Sequence, residues 1–159
     1  PGFVDMLQDA LSRHRIPPQQ LELEVTEAAL VTASNSDSEV MDALKALGVM
    51  ISVDDFGTGV STLSYLKRFP VDVLKLDPAL IRNLPNDRED GAIVSAVIKL
   101  AGDLQIRVVA EGVETFEQLR FLQDTPCGYV QGFLFSEAVG PEKFDQLLQK
   151  RKQEGRFFH

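Results

Sequence analysis

The chain has 159 residues, of which 44% are hydrophobic, and a formal net charge of −8 at pH 7. This length and hydrophobic content are enough for one domain with a sizeable core, which excludes global disorder. The negative charge disfavours a general nucleic-acid-binding surface, so we expect no nucleic acid polymer as a partner. Metal ions bound by acidic residues can nevertheless present positive charge to a phosphate group.

No uninterrupted apolar stretch approaches the roughly 20 residues that are needed to span a bilayer. No segment has the charged start, apolar middle and small-residue end of a signal peptide. We therefore expect no membrane segment in this chain and a cytoplasmic location. The single cysteine, Cys127, has no Cys or His neighbours at zinc-ligand spacing, which favours a packing role for its thiol.

Helical and strand-like patterns alternate along the chain. The first helix ends at Pro17-Pro18, and Gly48 ends the helix before the second strand. The apolar spacing predicts helices over residues 3–14, 39–47, 61–69, 92–104, 116–123 and 141 to about 152. It predicts strands over residues 21–25, 49–54, 71–77, 107–111 and 129–135. No linker is long enough to divide the chain, so we expect residues 1–159 to belong to one domain.

Repeated strand–helix units imply parallel strands joined by right-handed crossovers. The choice is between an open, doubly wound sheet and part of a (β/α)₈ barrel. Acidic residues at the ends of several different strands favour the barrel, whose active sites collect at the C-terminal ends of its strands. A full barrel takes about 250 residues. The five predicted strands therefore indicate an α/β fold that is a partial TIM-type (β/α) barrel with two unpaired edges.

Acidic residues stand at the C-terminal ends of four predicted strands. Because side chains alternate between the two faces of a strand, one residue near the end of each strand can point to a shared inner face. The residues on this face are Glu24, Asp54, Lys75, Glu111 and Gln131. Asp55, Glu27 and Glu114 follow just beyond, at loop positions. Several acids at one edge of a sheet are costly unless a cation neutralises them, so the pattern predicts a cation-binding site.

Simpler roles remain open for some charged residues. A second interpretation of Lys75 is a buried salt bridge with Asp77 or another acid. A single acid at a strand end is most often solvated, helix-capping or paired, and we interpret Glu22, Asp72 and Glu117 in this way.

The acidic segments also carry a resemblance. Their order is similar to that of the successive motifs of the EAL-domain family of cyclic di-GMP phosphodiesterases. The matching segments are Glu-Val-Thr-Glu at 24–27, Asp-Asp-Phe-Gly-Thr-Gly at 54–59, Leu-Lys-Leu-Asp at 74–77, Val-Ala-Glu-Gly-Val-Glu at 109–114 and Gln-Gly-Phe-Leu-Phe at 131–135. The family fold is a modified TIM barrel, in agreement with the strand pattern. The resemblance implies that residues 1–159 are the C-terminal portion of a single EAL domain, whose Glu-Ala-Leu motif and first strands would precede Pro1.

The resemblance implies a two-metal site for Mg²⁺ or Mn²⁺ that cleaves cyclic di-GMP to linear pGpG. Glu24 and Asp54 would bind the first ion, and Asp54 would bridge to the second. Asp55 and Glu111 would complete the ligands of the second ion, and Glu111 therefore also counts as catalytic. Two ions roughly 3.5–4 Å apart supply a nucleophile near neutral pH and stabilise charge on the attacking and leaving oxygens.

The resemblance also implies supporting roles. Lys75 would hold or polarise the attacking water, and Gln131 would help to position the water or the phosphate. Glu27 would brace the loop over residues 55–62, and Glu114 would orient the groups that bind the metal. The remaining loop residues implied in the site are Phe56, Gly57, Thr58, Gly59 and Asp77.

Two other functions remain open. A degenerate EAL domain would bind cyclic di-GMP as a receptor or act as a protein-interaction module. An enolase-like barrel also places acids and a lysine around Mg²⁺, although the adjacent Asp54 and Asp55 argue against it. We further expect the chain by itself to be inactive or nearly so, because the family's ligands on the strands before Glu24 are not in this sequence.

The unpaired edges of a partial barrel predict self-association. The strands over residues 21–25 and 129–135 would flank the opening and present backbone groups without partners. We therefore expect a homodimer or an edge-mediated oligomer.

Overall fold

In the computed structural model of the protein, residues 2–57 and 64–154 are described. Thr58 and Gly59, which we predicted to lie in the loop of the site, are outside the described residues, as is the first part of the predicted helix over residues 61–69. Within the described ranges, no helix is long and apolar enough to cross a membrane.

Within the described ranges, five parallel strands form one sheet, and their order across the sheet is their order along the chain. A doubly wound sheet reverses this order at a switch point, whereas a barrel adds each strand beside the previous one. The predicted α/β class with TIM-type winding is therefore confirmed. The strands are β1 Glu22–Thr26, β2 Met50–Phe56, β3 Val73–Leu76, β4 Arg107–Ala110 and β5 Tyr129–Val130.

All six predicted helices are present in the described part of the chain. The α-helices are α1 Phe3–His14, α2 Glu27–Thr32, α3 Asn35–Leu47, α4 Tyr65–Arg68, α5 Pro78–Ile81, α6 Arg88–Asp103, α7 Phe116–Gln123 and α8 Pro141–Glu154, with a 3₁₀ turn at Pro18–Gln20. α1 and α7 have the predicted bounds. The apolar spacing does not predict α2 and α5, because one or two turns hold too few residues to show a helical period.

Local signals set the ends of α3, which leads into β2. The Ser34 hydroxyl accepts a hydrogen bond from the Asp37 N–H, and the Asp37 carboxylate accepts one from the Ser34 N–H. The helix ends at Gly48, whose φ of 99° is left-handed. The chain then enters the sheet at Val49, which is fully buried.

The prediction of a strand over residues 129–135 is wrong beyond Val130. The following residues turn around Val113, whose N–H donates to the Gln131 carbonyl at 3.0 Å and whose carbonyl accepts from the Leu134 N–H at 3.0 Å. At Gly132, an added Cβ would lie 2.1 Å from the Val113 carbonyl oxygen. Hydrogen bonding to this loop replaces sheet pairing, so the apolar run does not lengthen β5.

The hydrophobic core lies between the outer face of the sheet and the helices. Val53 of β2 and Leu76 of β3 are fully buried there, and Ile98 of α6 and Leu122 of α7 are also buried. Because side chains alternate along β3, Lys75 points away from this core to the inner face of the sheet. The helices therefore cover one face and leave the other to the charged residues.

Candidate active site at the strand ends

Lys75 stands at the centre of an ion cluster that draws on four strands. Its ammonium nitrogen Nζ lies 2.8 Å from Glu24 Oε1 of β1 and 2.9 Å from Glu111 Oε1, just after β4. Nζ also lies 3.3 Å from Asp54 Oδ1 of β2. Parallel strands end at the same edge of a sheet, so residues far apart in sequence meet there. The structure thus brings together four of the five residues predicted to share the inner face.

A bulge in β2 places two aspartates at one position of the sheet. Between two paired positions, β2 uses one more residue than β3, so Asp54 and Asp55 both stand opposite Lys75. Asp55 takes a left-handed φ of 55°. The extra residue lets Val53 before the pair and Phe56 after it both reach the core. We predicted Asp55 in a loop, and the structure makes it part of the bulged strand.

The ion cluster is short of positive charge, because three carboxylates surround one ammonium group. Among the described residues, the buried oxygens Asp54 Oδ1 and Glu111 Oε1 accept no hydrogen bond, although both lie within ion-pair distance of Lys75 Nζ. The Glu24 carboxylate has both the distance and the direction of a hydrogen bond from Nζ. Buried carboxylate oxygens without a donor are costly. The cluster therefore has capacity for a further cation.

Lys75 keeps its proton in this setting. Burial by itself lowers the pKa of the ammonium group, but the short contacts with Glu24 and Glu111 and the negative charge of Asp54 raise the pKa well above its ordinary value. The net direction is upward because three acids outweigh the partial loss of water. A lysine of this kind supplies hydrogen bonds and positive charge and does not act as a base.

The chemistry of the ion cluster fits a hard divalent cation. Its electron-pair donors are carboxylate oxygens, the ligands that Mg²⁺ and Mn²⁺ prefer. In the described arrangement, no three His, Cys, Asp or Glu side chains converge closely enough to hold a metal ion, and Lys75 Nζ stands between the carboxylates. The two buried oxygens without a hydrogen bond, on Asp54 and Glu111, are the atoms that a cation would satisfy. Glu24, whose side chain is 52% exposed, is the most exposed of the three acidic residues in the ion cluster.

Glu27 braces the turn that follows β2. Its carboxylate is buried and accepts hydrogen bonds from the Gly57 N–H at 3.0 Å and from the Tyr65 hydroxyl at 3.2 Å. Burial and the negative charge of Glu27 raise the pKa of the Tyr65 hydroxyl above its usual range. These contacts join the start of α2, the end of β2 and α4. The bracing of the whole loop over residues 55–62 by Glu27 stays a prediction.

The short helix α5 packs between the turns that follow β2 and β4. Asp77 caps it by accepting a hydrogen bond from the Ala79 N–H at 2.7 Å. Gly57 and Gly112 have left-handed φ values of 102° and 71°, and an added Cβ would lie 2.4 Å from Leu80 Cδ1 and 2.6 Å from Pro78 Cβ respectively. Only glycine allows both turns to approach α5 this closely.

Gln131 and Glu114 lie outside the ion cluster around Lys75. Gln131 lines a cavity of about 320 Å³ on the inner face, together with Glu22, Val73 and Val109. Its backbone continues the line of β5, since its N–H donates to the Ala110 carbonyl at 2.8 Å. Glu114 is exposed, and no described contact of its side chain reaches the ion cluster.

Sequence reasoning missed Gln118, a buried amide on α7. Its oxygen accepts hydrogen bonds from the N–H groups of Glu114 and Thr115, and its nitrogen donates to the carbonyls of Ile81 and Arg82. The pattern of Thr115 followed three residues later by Gln118 is a capping-box signal and was available in the sequence. Nothing in the sequence indicated the two bonds to the end of α5.

Residues 1–138 match the EAL domain family. The chain belongs to this family. The predicted resemblance is confirmed, and the enolase-like alternative is set aside.

The relatives show what the chain is similar to. The bifunctional diguanylate cyclase/cyclic di-GMP phosphodiesterase MucR of Pseudomonas aeruginosa is 45% identical over 147 residues, which are 92% of this chain and 21% of that protein. The chain therefore spans about a fifth of the length of this curated relative.

Solved structures share the fold. The PaMucR phosphodiesterase in complex with c-di-GMP superposes with a TM-score of 0.84 at 44% identity, covering 90% of this chain and 58% of that chain. Klebsiella pneumoniae BlrP1 in its manganese/cy-diGMP complex at pH 9.0 superposes with a TM-score of 0.81 at 41% identity, covering 86% of this chain and 35% of that chain.

Proposed function

We propose that this chain carries much of the active site of a cyclic di-GMP phosphodiesterase, which hydrolyses one phosphodiester bond of the ring to give linear pGpG. The observation that carries the proposal is the convergence of Glu24, Asp54 and Glu111 on Lys75 in a member of the EAL domain family. The similar PaMucR and BlrP1 structures, which contain c-di-GMP, support the choice of substrate.

We assign divalent cation binding to Glu24, Asp54, Asp55 and Glu111, with Mg²⁺ or Mn²⁺ as the ions. The buried, unsatisfied oxygens of Asp54 and Glu111 support this assignment, as does the manganese complex of BlrP1. When bound, such ions provide a nucleophile near neutral pH and stabilise charge on the attacking and leaving oxygens.

Lys75 and Gln131 are the proposed polar partners of the reacting groups. The Lys75 ammonium holds the surrounding carboxylates in one orientation and offers a charged hydrogen bond to a water or a phosphate oxygen. Gln131 would orient the water or the phosphate with its neutral side-chain amide. Its backbone accepts a hydrogen bond from the Val113 N–H, so its position is linked to the segment that begins at Glu111.

The other predicted site residues hold the turns in place. Glu27 bonds the Gly57 N–H, and Phe56 anchors the same turn in the core. Asp77 fixes α5 against both turns. Glu114 is proposed to orient ligands from the end of the segment that carries Glu111. Thr58 and Gly59 keep the loop role that the family resemblance implies.

We further propose that residues 1–159 are the C-terminal portion of a single EAL domain that works in the cytoplasm and self-associates. The coverage of 58% of the PaMucR chain supports the view that these residues are a portion of a larger unit. The lone cysteine is consistent with a reducing compartment. The two sheet edges support self-association.

A chimera provides the decisive experiment. This chain would replace the matching segment of the PaMucR phosphodiesterase, and conversion of cyclic di-GMP to pGpG would be followed by chromatography with Mg²⁺ or Mn²⁺. We expect hydrolysis by the chimera, little hydrolysis by the 159-residue chain alone, and a loss of about 100-fold in the chimera with Lys75→Met. Exposed Lys99→Met is the matched control and should retain the rate.

The result also separates the alternatives. A folded chimera that binds cyclic di-GMP without hydrolysing it would contradict the enzyme and favour a receptor. A folded chimera that neither binds nor hydrolyses the nucleotide would favour a protein-interaction module.

A further inference from the structure

The side chain of Gln118 makes four hydrogen bonds to described residues from a buried position. Its side-chain oxygen accepts from the Glu114 N–H at 2.8 Å and the Thr115 N–H at 3.0 Å. Its side-chain nitrogen donates to the carbonyls of Ile81 and Arg82, both at 3.2 Å. The residue is 4% exposed. One amide thus joins the end of α5 to the segment between Glu111 and α7.

A capping box explains only part of this arrangement. Such a box accounts for the bond between the Gln118 side chain and the Thr115 N–H, and for the bond between the Gln118 N–H and the Thr115 hydroxyl. It does not account for the bonds to Ile81 and Arg82. A capping glutamine usually lies on the surface, because glutamine is rarely buried. The burial of Gln118 therefore indicates a further role.

Helix α5, to whose end the Gln118 side chain is hydrogen-bonded, is itself fixed to the candidate site. The Asp77 N–H, at the start of α5, donates to the Phe56 carbonyl at 3.1 Å. Leu80 and Pro78 of α5 pack against Gly57 and Gly112 in the two neighbouring turns. α5 therefore contacts the turn after the paired aspartates and the turn after Glu111.

The segment after Glu111 is anchored at Gly112, which packs against Pro78, and at Val113, which is fully buried, before it reaches Gln118. The Glu111 N–H donates to the Leu76 carbonyl at 3.2 Å, and Val113 is bonded to Gln131 and Leu134. Beyond Val113, the Glu114 and Thr115 N–H groups both end on Gln118. Loss of this amide would release the segment beyond Val113 while leaving β4 in the sheet and Val113 in the core.

We propose that Gln118 is a positioning residue, which sets the place of the Glu111 carboxylate beside Lys75 by tying the segment over residues 111–115 to α5. The effect of Gln118 on catalysis rests on the proposed phosphodiesterase function, whereas its effect on the place of the Glu111 carboxylate does not. Gln118 touches no reacting group and acts through Glu111, and through Gln131 by way of Val113.

Carbon-13 NMR of the side-chain carboxylates tests the positioning directly in the full chain. The Glu111 resonance is assigned by its loss in Glu111→Gln. Gln118→Met keeps the length of the side chain and removes its hydrogen bonds. We expect the Glu111 resonance to move in this variant. Thr115→Ala is the matched control, since it removes the cap of the same helix but keeps the backbone N–H that Gln118 binds, and the resonance should stay in place.

Gln118→Glu is the second variant if the methionine variant does not fold. It keeps acceptors for the Glu114 and Thr115 N–H groups and loses the donors to α5, so the Glu111 resonance should also move. An unchanged Glu111 resonance in a folded Gln118 variant overturns the proposal. An equal movement in Thr115→Ala also overturns it, because the effect would then belong to the stability of α7.

Binding of Mn²⁺ alone, followed by the electron paramagnetic resonance of the free ion, separates this proposal from the proposed function. We expect Mn²⁺ affinity to fall about 10- to 100-fold in Gln118→Met and to remain unchanged in Thr115→Ala. If the wild-type chain binds no Mn²⁺ while Glu111 responds as expected, the positioning role stands and the proposed metal site fails. If Mn²⁺ binds equally well to the wild type and to folded Gln118→Met, the positioning role fails.

Discussion

Lys75 is the one ammonium group in the described part of the chain that faces the three carboxylates of the ion cluster. Replacement by methionine keeps most of the volume of the side chain and removes the cation, which leaves the partly buried Asp54 and Glu111 without a partner charge. Breaking buried ion pairs costs several kcal/mol, and the half-exposed Glu24 reduces the effect because water screens it. We expect Lys75→Met to lower the free energy of unfolding by about 2 kcal/mol in the absence of metal.

The same variant tests whether the ion cluster accepts a divalent cation. Mn²⁺ binds the folded state and stabilises it by mass action, and it also supplies the positive charge that the variant lacks. Urea unfolding with and without Mn²⁺ should therefore show a larger gain in stability for Lys75→Met than for the wild type. An equal gain, or none, in the variant would contradict a cation site at these carboxylates.

Tyr65 makes the stability of the protein sensitive to alkaline pH. Burial, together with the charge of Glu27, raises the pKa of its hydroxyl above the ordinary 10.0. The unfolded chain then loses this proton at a lower pH than the folded chain, so the stabilisation is present below pH 10 and decreases as the pH rises above it. We expect less urea to be needed for unfolding above that pH, and a weaker pH dependence in Tyr65→Phe.

Exposed Tyr129 provides the control for this experiment. Tyr129→Phe should leave the alkaline dependence of unfolding as it is in the wild type. If Tyr65→Phe and Tyr129→Phe behave alike, the proton on Tyr65 is not the source of the dependence.

The paired aspartates show the limit of sequence reasoning about single residues. Strand alternation was sufficient to place Glu24, Lys75 and Glu111 on one face, because alternation follows from backbone geometry alone. It could not place Asp55, since a bulge adds one residue and depends on how β2 meets β3. The adjacent acids, followed by Phe56 and Gly57, were the visible signal, and from them we predicted a loop position for Asp55.

At the scale of elements, α5 depends on the close approach of Gly112. Alanine at this position would take a left-handed φ of 71° and place its Cβ 2.6 Å from Pro78 Cβ. Backbone strain and overpacking together predict a loss of about 2 to 4 kcal/mol in the free energy of unfolding for Gly112→Ala. Urea denaturation measures this loss.

Gly102, in α6, is the matched control for that substitution. Apart from its chain neighbours and the backbone of its own helix, no described atom lies within 4 Å of the position that an added Cβ would occupy. Gly102→Ala should therefore stabilise the protein by about 0.5 to 1 kcal/mol through helix propensity. A similar loss in both variants would show that the contact between Gly112 and α5 is not the cause.

Element prediction succeeded where the local sequence decides the structure. The ends of α1 and α7 follow from their own apolar spacing and caps, so their bounds were predicted correctly. β5 was predicted too long because its ending at Val130 depends on hydrogen bonds to Val113, which is distant in sequence. Asp72 lies between these cases. We expected it to be solvated, helix-capping or paired, and it is paired, but its partner Lys45, at 2.6 Å, could be found only in the fold.

At the scale of the whole molecule, the sheet described here has two edges. β1 pairs with β2 alone and β5 with β4 alone among the described strands. Beside β1 lies a groove of about 500 Å³ that is mostly apolar and includes Phe3, Val25 and Leu30. An unpaired strand next to apolar side chains is a template for pairing with another chain. The short β5, with two residues, offers much less backbone for such pairing.

We therefore expect the isolated chain to self-associate through β1, and light scattering after size-exclusion chromatography measures the effect. The Leu21 carbonyl accepts from Met50, so the next N–H along the strand, that of Glu22, points to the open edge. Glu22→Pro removes this donor, and the extended conformation of Leu21, with φ −102° and ψ 128°, suits a following proline. We expect dimers or larger species for the wild type and for the control Glu22→Gln, and a monomer for Glu22→Pro. A stable, folded monomer of the wild type would contradict edge pairing. Hydrogen bonds to water would then be enough for the N–H groups at the open edge of β1, with no partner strand.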